Sequence, residues 1–344
     1  MADQANVLNL SSSPLARNEM KNSLTHSADE HMTANKQAPT VSLAMPVYNG
    51  GEYIGEAIQS ILDQTFEDFE LIITDNASTD DTQQICLDFA EKDPRVRYHR
   101  NPQNLGAAGN YNRGFELARG EFLKWCAHDD NISPNYVEEA VRALNENEDA
   151  IMAYGRTQMI DSNGTHLDGS ASAILTDMDN PNSVKRFMQA VHAGGSCSAI
   201  FALFRKSELA RSTLHRGYYQ SDRALLSEMA LLGTFEYLPE IVFYNREHET
   251  RSMSLDDKIA RAKWQNTKSS GRFAFEQWPL SWHYFQIVFR HAGTVGLHRT
   301  LPPILLWSIS PAQLSRYFLE LVSVVSPKAS VSLRQFFLKR FSKS

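Results

Sequence analysis

Val41-Ser42-Leu43-Ala44-Met45-Pro46-Val47 is a short apolar run with β-branched ends, and it stops at the turn cluster Tyr48-Asn49-Gly50-Gly51. A run of that length between turn signals reads as a buried strand. Working outward, Tyr53, Ile54, Ala57, Ile58, Ile61 and Leu62 recur at helical spacing within 52–62. Glu70–Thr74 is a second buried strand that ends at Asp75, and a helix is expected from the Ser78–Asp81 cap to about Lys92. Val96–His99 reads as a third strand. A helix then opens at Asn104-Leu105-Gly106 and runs through Leu117, and Glu121–Cys126 reads as a fourth strand. Ser133-Pro134 looks like an N-cap followed by proline at the first helical position. Strands that alternate with helices at crossover spacing predict an α/β fold with a mostly parallel sheet and helices on both faces.

Ligands of such sheets bind beyond the carboxyl ends of the strands. Three polar clusters follow strands here: Tyr48-Asn49, Asp75-Asn76 and Asp129-Asp130. Adjacent carboxylates repel one another and call for a counter-charge, which a hard divalent cation supplies. The competing reading makes Asp129-Asp130 a helix-start acid cluster favoured by the helix dipole. Asp75 is assigned to a ligand, and Ser78 to Asp81 mostly to a cap. Asp222, at a predicted helix start, is either a general base or a helix N-terminal acid. His248, with Arg246 and Arg251 around it, reads as a diphosphate or metal contact or as a solvated loop.

Beyond residue 150 the pattern loosens. Strands are expected at Ala150–Ile160, Ala199–Phe204 and Thr234–Tyr244, a helix at Asp222–Leu232, and a mobile loop at 170–183. From about 255 the chain reads as several helices interrupted by prolines.

The 344 residues suffice for a full core, and the net charge of −6 conceals an asymmetry. From Leu255 to Ser344 there are 13 Lys and Arg against 4 Asp and Glu, whereas the remainder holds 21 basic and 36 acidic residues. The C-terminal segment therefore reads as contact with an anionic membrane surface, or as helices packed on the sheet domain. No apolar run reaches the roughly 18 residues of a membrane span. Residues 1–38 read as a disordered tail without a secretory signal. Cys86, Cys126 and Cys197 show neither a disulfide framework nor a zinc spacing, and they read as buried small residues in a reducing compartment.

The ordered set of motifs resembles family-2 glycosyltransferases. It comprises Val41 to Asn49 with Glu52, Asp75-Asn76-Ala77-Ser78-Thr79-Asp80-Asp81-Thr82, Asn104-Leu105-Gly106, Asn112-Arg113-Gly114, Ala118-Arg119-Gly120-Glu121 and His128-Asp129-Asp130, within about residues 40–250. The resemblance implies the GT-A fold, a Rossmann-like, mostly parallel sheet flanked by helices, here with a helical C-terminal extension. It divides the chain into the tail at 1–38, a catalytic domain at 39–254 with a nucleotide-binding half (39–130) and an acceptor half (131–254), and a basic helical region at 255–344. It implies an inverting transfer from a nucleotide-sugar to a glycan or lipid-linked acceptor, in surface polysaccharide synthesis. The implied location is the cytoplasm, at the inner membrane face, and no nucleic acid is expected as a partner.

By the same resemblance Pro46, Tyr48, Glu52 and Asp75 hold the nucleoside, and Asn49, Asn76, Arg113, Asp129 and Arg246 join them on the donor. Asp129, Asp130 and His248 hold Mg2+ or Mn2+, and Asp222 is the base. Arg246 and His248, with Ser252, resemble a late Tyr-Arg-x-His element in which Asn245 replaces the usual arginine. Two further departures are Ala127, where an aspartate is common, and Tyr111, where an arginine is frequent. The alternative class is a non-catalytic nucleotide-sugar or glycan-binding module. A nucleotidyltransferase is disfavoured because Gly50-Gly51-Glu52 lacks a basic phosphate loop.

Overall fold

The run at 41–47 forms β1 (Val41–Val47), buried along its whole length, as a strand covered by helices on both faces must be. This computed structural model describes residues 38–168, 175–193, 197–249, 251, 258–267 and 275–326, with backbone alone at 258 and 325. The expected tail therefore lies outside the described residues except for Ala38. Next come α1 (Ile54–Leu62), β2 (Phe69–Asp75), α2 (Thr82–Lys92), β3 (Val96–Arg100), α3 (Gly106–Leu117) and β4 (Phe122–Trp125), each within two residues of its expected start and end. β1 pairs in parallel with β2 and β4, and β2 with β3. Val47 lies opposite Asp75 and Ala44 opposite Trp125, so the chain leaves these strands along one edge.

The second half is β5 (Asn131–Ile132), α4 (Tyr136–Glu146), β6 (Ala150–Ile160), α5 (Ser183–His192), a 3-10 turn (Ser198–Phe201), β7 (Leu203–Arg205), α6 (Lys206–Leu209), α7 (Ser221–Leu232) and β8 (Thr234–Arg246). The eight strands lie in the order β3-β2-β1-β4-β7-β6-β8-β5. β7 runs antiparallel to both β4 and β6, β5 runs antiparallel to β8, and β6 and β8 are parallel. The sheet is thus parallel from β3 to β4 and mixed beyond. The expected strand Ala199–Phe204 divides into the turn and the three-residue β7, which is short enough to enter between β4 and β6 reversed.

Two other expectations change. Ser133 does not cap α4, because its hydroxyl accepts from Val242 N at 3.0 Å and its own N–H donates to Val242 O at 2.9 Å. It prolongs the β5–β8 pairing, and the helix starts three residues later. Ahead of α2, Asp80 does the capping, accepting from Thr82 N at 3.1 Å, while Ser78 Oγ accepts from Asn49 N at 2.9 Å. The expected loop at 170–183 is anchored in its described part, where Met178 is buried in the core and Phe235 N donates to its carbonyl at 3.1 Å.

A bulge sets the β6–β8 register. The pairing skips residues 239–241 between Gly155 and Arg156, so that Ile160 meets Arg246. A Cβ at position 155 would lie 2.3 Å from the Ile241 carbonyl oxygen, so only glycine lets the bulge close.

The C-terminal region contributes α8 (Lys258–Gln265), α9 (Gln277–Arg290), a π turn (Ala292–Gly296), α10 (Leu297–Ser308) and α11 (Pro311–Val325). Pro302 and Pro303 lie inside α10 rather than interrupting it, whereas Pro311 starts α11 behind a Ser310 cap. Leu280, Tyr284 and Ile287 of α9 and Ile304 and Trp307 of α10 share a core with Phe187 of α5 and Ala224 and Leu231 of α7. These helices therefore pack on the sheet's own helices. Among the described residues no helix is long and apolar enough to cross a membrane.

Candidate functional site

β5 fixes the acid pair. Its antiparallel pairing puts Asn131 opposite Tyr244 and draws the two residues before it against the end of β8. Asp130 becomes fully enclosed there. It accepts from Arg246 N at 2.8 Å and from Asn245 Nδ2 at 3.1 and 3.2 Å. Burial and the Asp129 charge push its carboxyl well above the ordinary range. Asp129 points the other way, with its Oδ2 3.0 Å from His248 Nε2. Burial works against its ionisation, but the His128 charge and the His248 contact hold it down at about 2.

The metal set read from sequence accordingly narrows. Asp130 spends its oxygens on the β8 backbone and Asn245, which leaves Asp129 and His248 as a carboxylate–imidazole pair. Among the described residues no group of three His, Cys, Asp or Glu is assembled. One carboxylate and one imidazole fit a divalent cation that takes its remaining ligands from phosphate and water. Ser252, expected beside this pair, lies outside the described residues.

Arg246 is not placed as expected. It is 1% exposed, donating Nε to the Asp129 carbonyl at 3.0 Å and Nη1 to the Ser162 carbonyl at 3.1 Å, and it pairs with Glu56 at 2.7 Å. It braces the Asp129 loop from below and has little left for a diphosphate. Tyr53, read from sequence as an interior helical residue, supports the same corner: its ring stands 4.7 Å from His248 and 5.0 Å from the Arg246 guanidinium. At Gly50 a Cβ would lie 2.5 Å from His128 Cδ2, so the β1 turn and the acid loop approach as closely as backbone permits.

The other expected donor residues divide into rim and interior. Tyr48, Asn49 and Glu52 are exposed at the edge. Asn49 holds a left-handed conformation at φ 53, tolerable for asparagine, and its Oδ1 accepts from Thr79 N at 2.8 Å. Pro46 is buried in β1, opposite Thr74. Its missing N–H costs no ladder bond, because β4 pairing ends at Ala44.

Asp75 is fully buried and already satisfied. It accepts from Tyr98 Oη at 2.5 Å, Arg100 Nη1 at 2.6 Å and Ser78 N at 2.8 Å. Asn76 is likewise interior, accepting from Leu105 N at 2.8 Å and donating to Asn104 Oδ1 at 3.0 Å, which ties β2 to the start of α3. Arg113 stands away from the acid pair on the outer side of α3, bonded to Glu116 at 3.0 Å. Asp75 and Asn76 thus organise the walls, while Arg113 lies on the helix surface.

Asp222 occupies the first turn of α7, behind Gln220 in a left-handed conformation at φ 72. Burial raises its carboxyl above the ordinary range, against the Arg223 N–H at 2.9 Å, the Arg223 charge and the Cys197 thiol. Six residues on, Glu228 faces the opposite fate. Burial pushes it up, but His291 at 2.8 Å and the Thr213 N–H and hydroxyl at 2.8 and 2.7 Å outweigh that and hold it low.

Tyr111 packs against Trp125 and His215, with ring centroids 6.1 and 4.8 Å away. Burial raises its hydroxyl pKa, and the charges of Asp129, Asp130 and Asp222 add to the rise. His215 lies 4.8 Å from both the Tyr111 and Trp125 rings. Burial takes its pKa down to about 3, and its Nε2 has no partner among the described residues. Sequence reading marked Tyr111 only as a departure from a family pattern, and nothing in the local sequence marked His215 or Tyr53.

The mixed sheet flanked by helices is the fold of the GT-A glycosyltransferases, and it carries the Asp129–His248 pair at its strand-end edge. The model of Glycosyl transferase family 2 matches residues 42–209 of the chain. The chain is 38% identical over 138 residues to an uncharacterized glycosyltransferase of Rickettsia felis, covering 39% of this chain and 22% of that one. It is 32% identical over 139 residues to glycosyltransferase GlyG of Streptococcus pneumoniae, covering 40% and 44%. The chain thus spans less than half the length of these relatives. Among solved structures it is similar to S. aureus TarS 1-349 in complex with UDP-GlcNAc, with TM-score 0.50, 17% identity and coverage of 83% of this chain and 80% of that one.

Proposed function

We propose that this chain is an inverting glycosyltransferase that moves a sugar from a nucleoside diphosphate sugar to a hydroxyl of a glycan or lipid-linked acceptor. The observation that carries this reading is the Asp129–His248 pair, 3.0 Å apart at the strand-end edge of a sheet whose residues 42–209 match the family-2 glycosyltransferase model. That TarS is solved with UDP-GlcNAc and with UDP supports a nucleotide-sugar as the donor.

In the reaction, the acceptor oxygen forms a bond to the anomeric carbon from the face opposite the diphosphate. The bond from that carbon to the phosphate oxygen breaks, its electron pair leaves with the nucleoside diphosphate, and the acceptor's proton passes to Asp222 Oδ. A carboxyl raised by burial suits this transfer, since it lies nearer the operating pH than an ordinary aspartate. Asp129 and His248 are the residues that would hold Mg2+ or Mn2+, which when bound supplies positive charge to the diphosphate. Asp130 and Arg246 keep the Asp129 loop in position, and Tyr48, Asn49 and Glu52 supply the rim on which the nucleoside lies. Residues 39–130 then form the donor half and 131–254 the acceptor half.

The biological setting that suits this chemistry is surface polysaccharide synthesis at the inner face of the membrane. The decisive experiment is Asp222→Asn with a panel of nucleotide-sugars and Mn2+. Thermal stabilisation by the donor should persist while product formation ceases. Near-normal turnover in this variant would sink the base assignment. Failure of the unaltered protein to release nucleoside diphosphate in the presence of any acceptor extract would favour a non-catalytic binding module.

A further inference from the structure

Helix α11 is built inside out. Its inward residues are polar. Gln313 Nε2 donates to Ser281 Oγ at 3.3 Å, Tyr317 Oη donates to the same oxygen at 2.6 Å, and Glu320 accepts from the backbone of Glu276 at 2.6 Å and Gln277 at 2.8 Å. Its outward stripe is apolar: Leu314, Phe318 and Leu321 are each about half exposed, and Leu306 and Ile309 at the end of α10 are exposed at 68% and 60%. Helices of water-soluble domains normally turn the apolar stripe inward. Beside this stripe a cleft of about 580 Å³ opens between α5, α7, α10 and α11. Arg223, Arg316 and His192 line it together with Pro303, Leu306 and Trp307, and none of its lining residues is acidic. Arg223 is the chain neighbour of Asp222, and its charge acts on that carboxyl.

We propose that α11 and the end of α10 dock on an anionic bilayer without crossing it, and that the Arg223–Arg316 cleft takes the phosphate of a lipid-linked acceptor. Three features select this occupant. The outward stripe offers apolar surface to acyl chains, as interfacial helices do. The 13 basic against 4 acidic residues of 255–344 complement a negative surface. The cleft meets the stripe at Leu306 and reaches the first turn of α7 at Arg223, the residue after the proposed base Asp222. The acceptor part of this inference rests on the transferase reading, whereas the docking part does not.

The test floats the full chain with vesicles of phosphatidylcholine alone and of equimolar phosphatidylcholine and phosphatidylglycerol. Binding should require phosphatidylglycerol. Phe318→Asp and Arg316→Glu should each weaken it about tenfold, and Arg316→Lys should restore it. With a lipid-linked acceptor, Arg316→Glu should raise the acceptor KM and leave kcat and donor stabilisation unchanged, which also reports that the variant folds. Equal binding to both vesicles, or wild-type flotation of Arg316→Glu, would overturn the proposal. So would release from the vesicles by soluble glycerol phosphate, which would mark a free-phosphate site. Lipid binding in a protein that turns over no nucleotide-sugar would defeat the transferase reading and leave the docking face standing.

Discussion

Asp75 and Asp129 sit at the same edge of the same sheet, one closing β2 and the other following β4. In sequence they look alike: an apolar run, then an acid. In the fold they differ completely. Three donors from Tyr98, Arg100 and Ser78 converge on Asp75, which is fully buried. Among the described residues Asp129 meets the His248 side chain at 3.0 Å, and its loop is held from behind by Arg246. A strand-end acid is thus a site only where the fold withholds donors from it. Apart from the Ser78 N–H, three residues on, these partners come from segments 23 to 119 residues away in the chain.

The largest effect expected from testing this contrast falls on the third acid, Asp222. Asp222→Asn should lower kcat by about 10²- to 10⁴-fold, the usual contribution of a general base, without loss of donor-induced stabilisation. For the closed acid, Asp75→Ala strands the half-buried Tyr98 hydroxyl and the buried Ser78 N–H and should cost about 2–4 kcal/mol in urea unfolding. Arg100 contributes little to that sum, because its side chain is 35% exposed. For the open acid, Asp129→Ala should change ligand-free stability by less than about 1 kcal/mol. It should abolish the difference in nucleotide affinity with and without Mn2+ by calorimetry. If Asp75→Ala left stability untouched, or Asp129→Ala kept the metal effect, the contrast would collapse.

The two acids of α7 sharpen the same point through pH. The Asp222 carboxyl is raised by burial, so the acid limb of kcat should lie above the ordinary aspartate value and move when Cys197→Ala removes a hydrogen bond that lowers it. Glu228 is held below the usual range. It therefore adds stability above its unfolded value near 4.5, and that stability is lost as pH falls through the lower folded value. Glu228→Gln should flatten the acid side of the stability profile by about 1 kcal/mol, the smallest effect of the set.

Much of the first half was legible because its signals are local. The burial of β1, the helical spacing of α1 and the order of strand-end clusters follow from periods of two and 3.6 within a few residues. Ser133 shows where that reading stops. A serine before a proline is a sound helix cap until a strand 109 residues later takes both its hydroxyl and its N–H. Arg246 is similar: a basic residue at a strand end points to phosphate, but Glu56 and three backbone carbonyls surround it.

By itself the sequence determined the α/β class, the resemblance to family-2 glycosyltransferases and the identities of Asp129, His248 and Asp222 as candidates, since motif order and hydrophobic period are properties of contiguous residues. Only the tertiary structure decided that Asp130, Asp75 and Arg246 are bonded within the protein, and that α11 turns its apolar stripe outward. Those outcomes depend on which polar partners reach a side chain from remote elements, and on what packs against a helix face. Neither is encoded in the spacing of neighbouring residues.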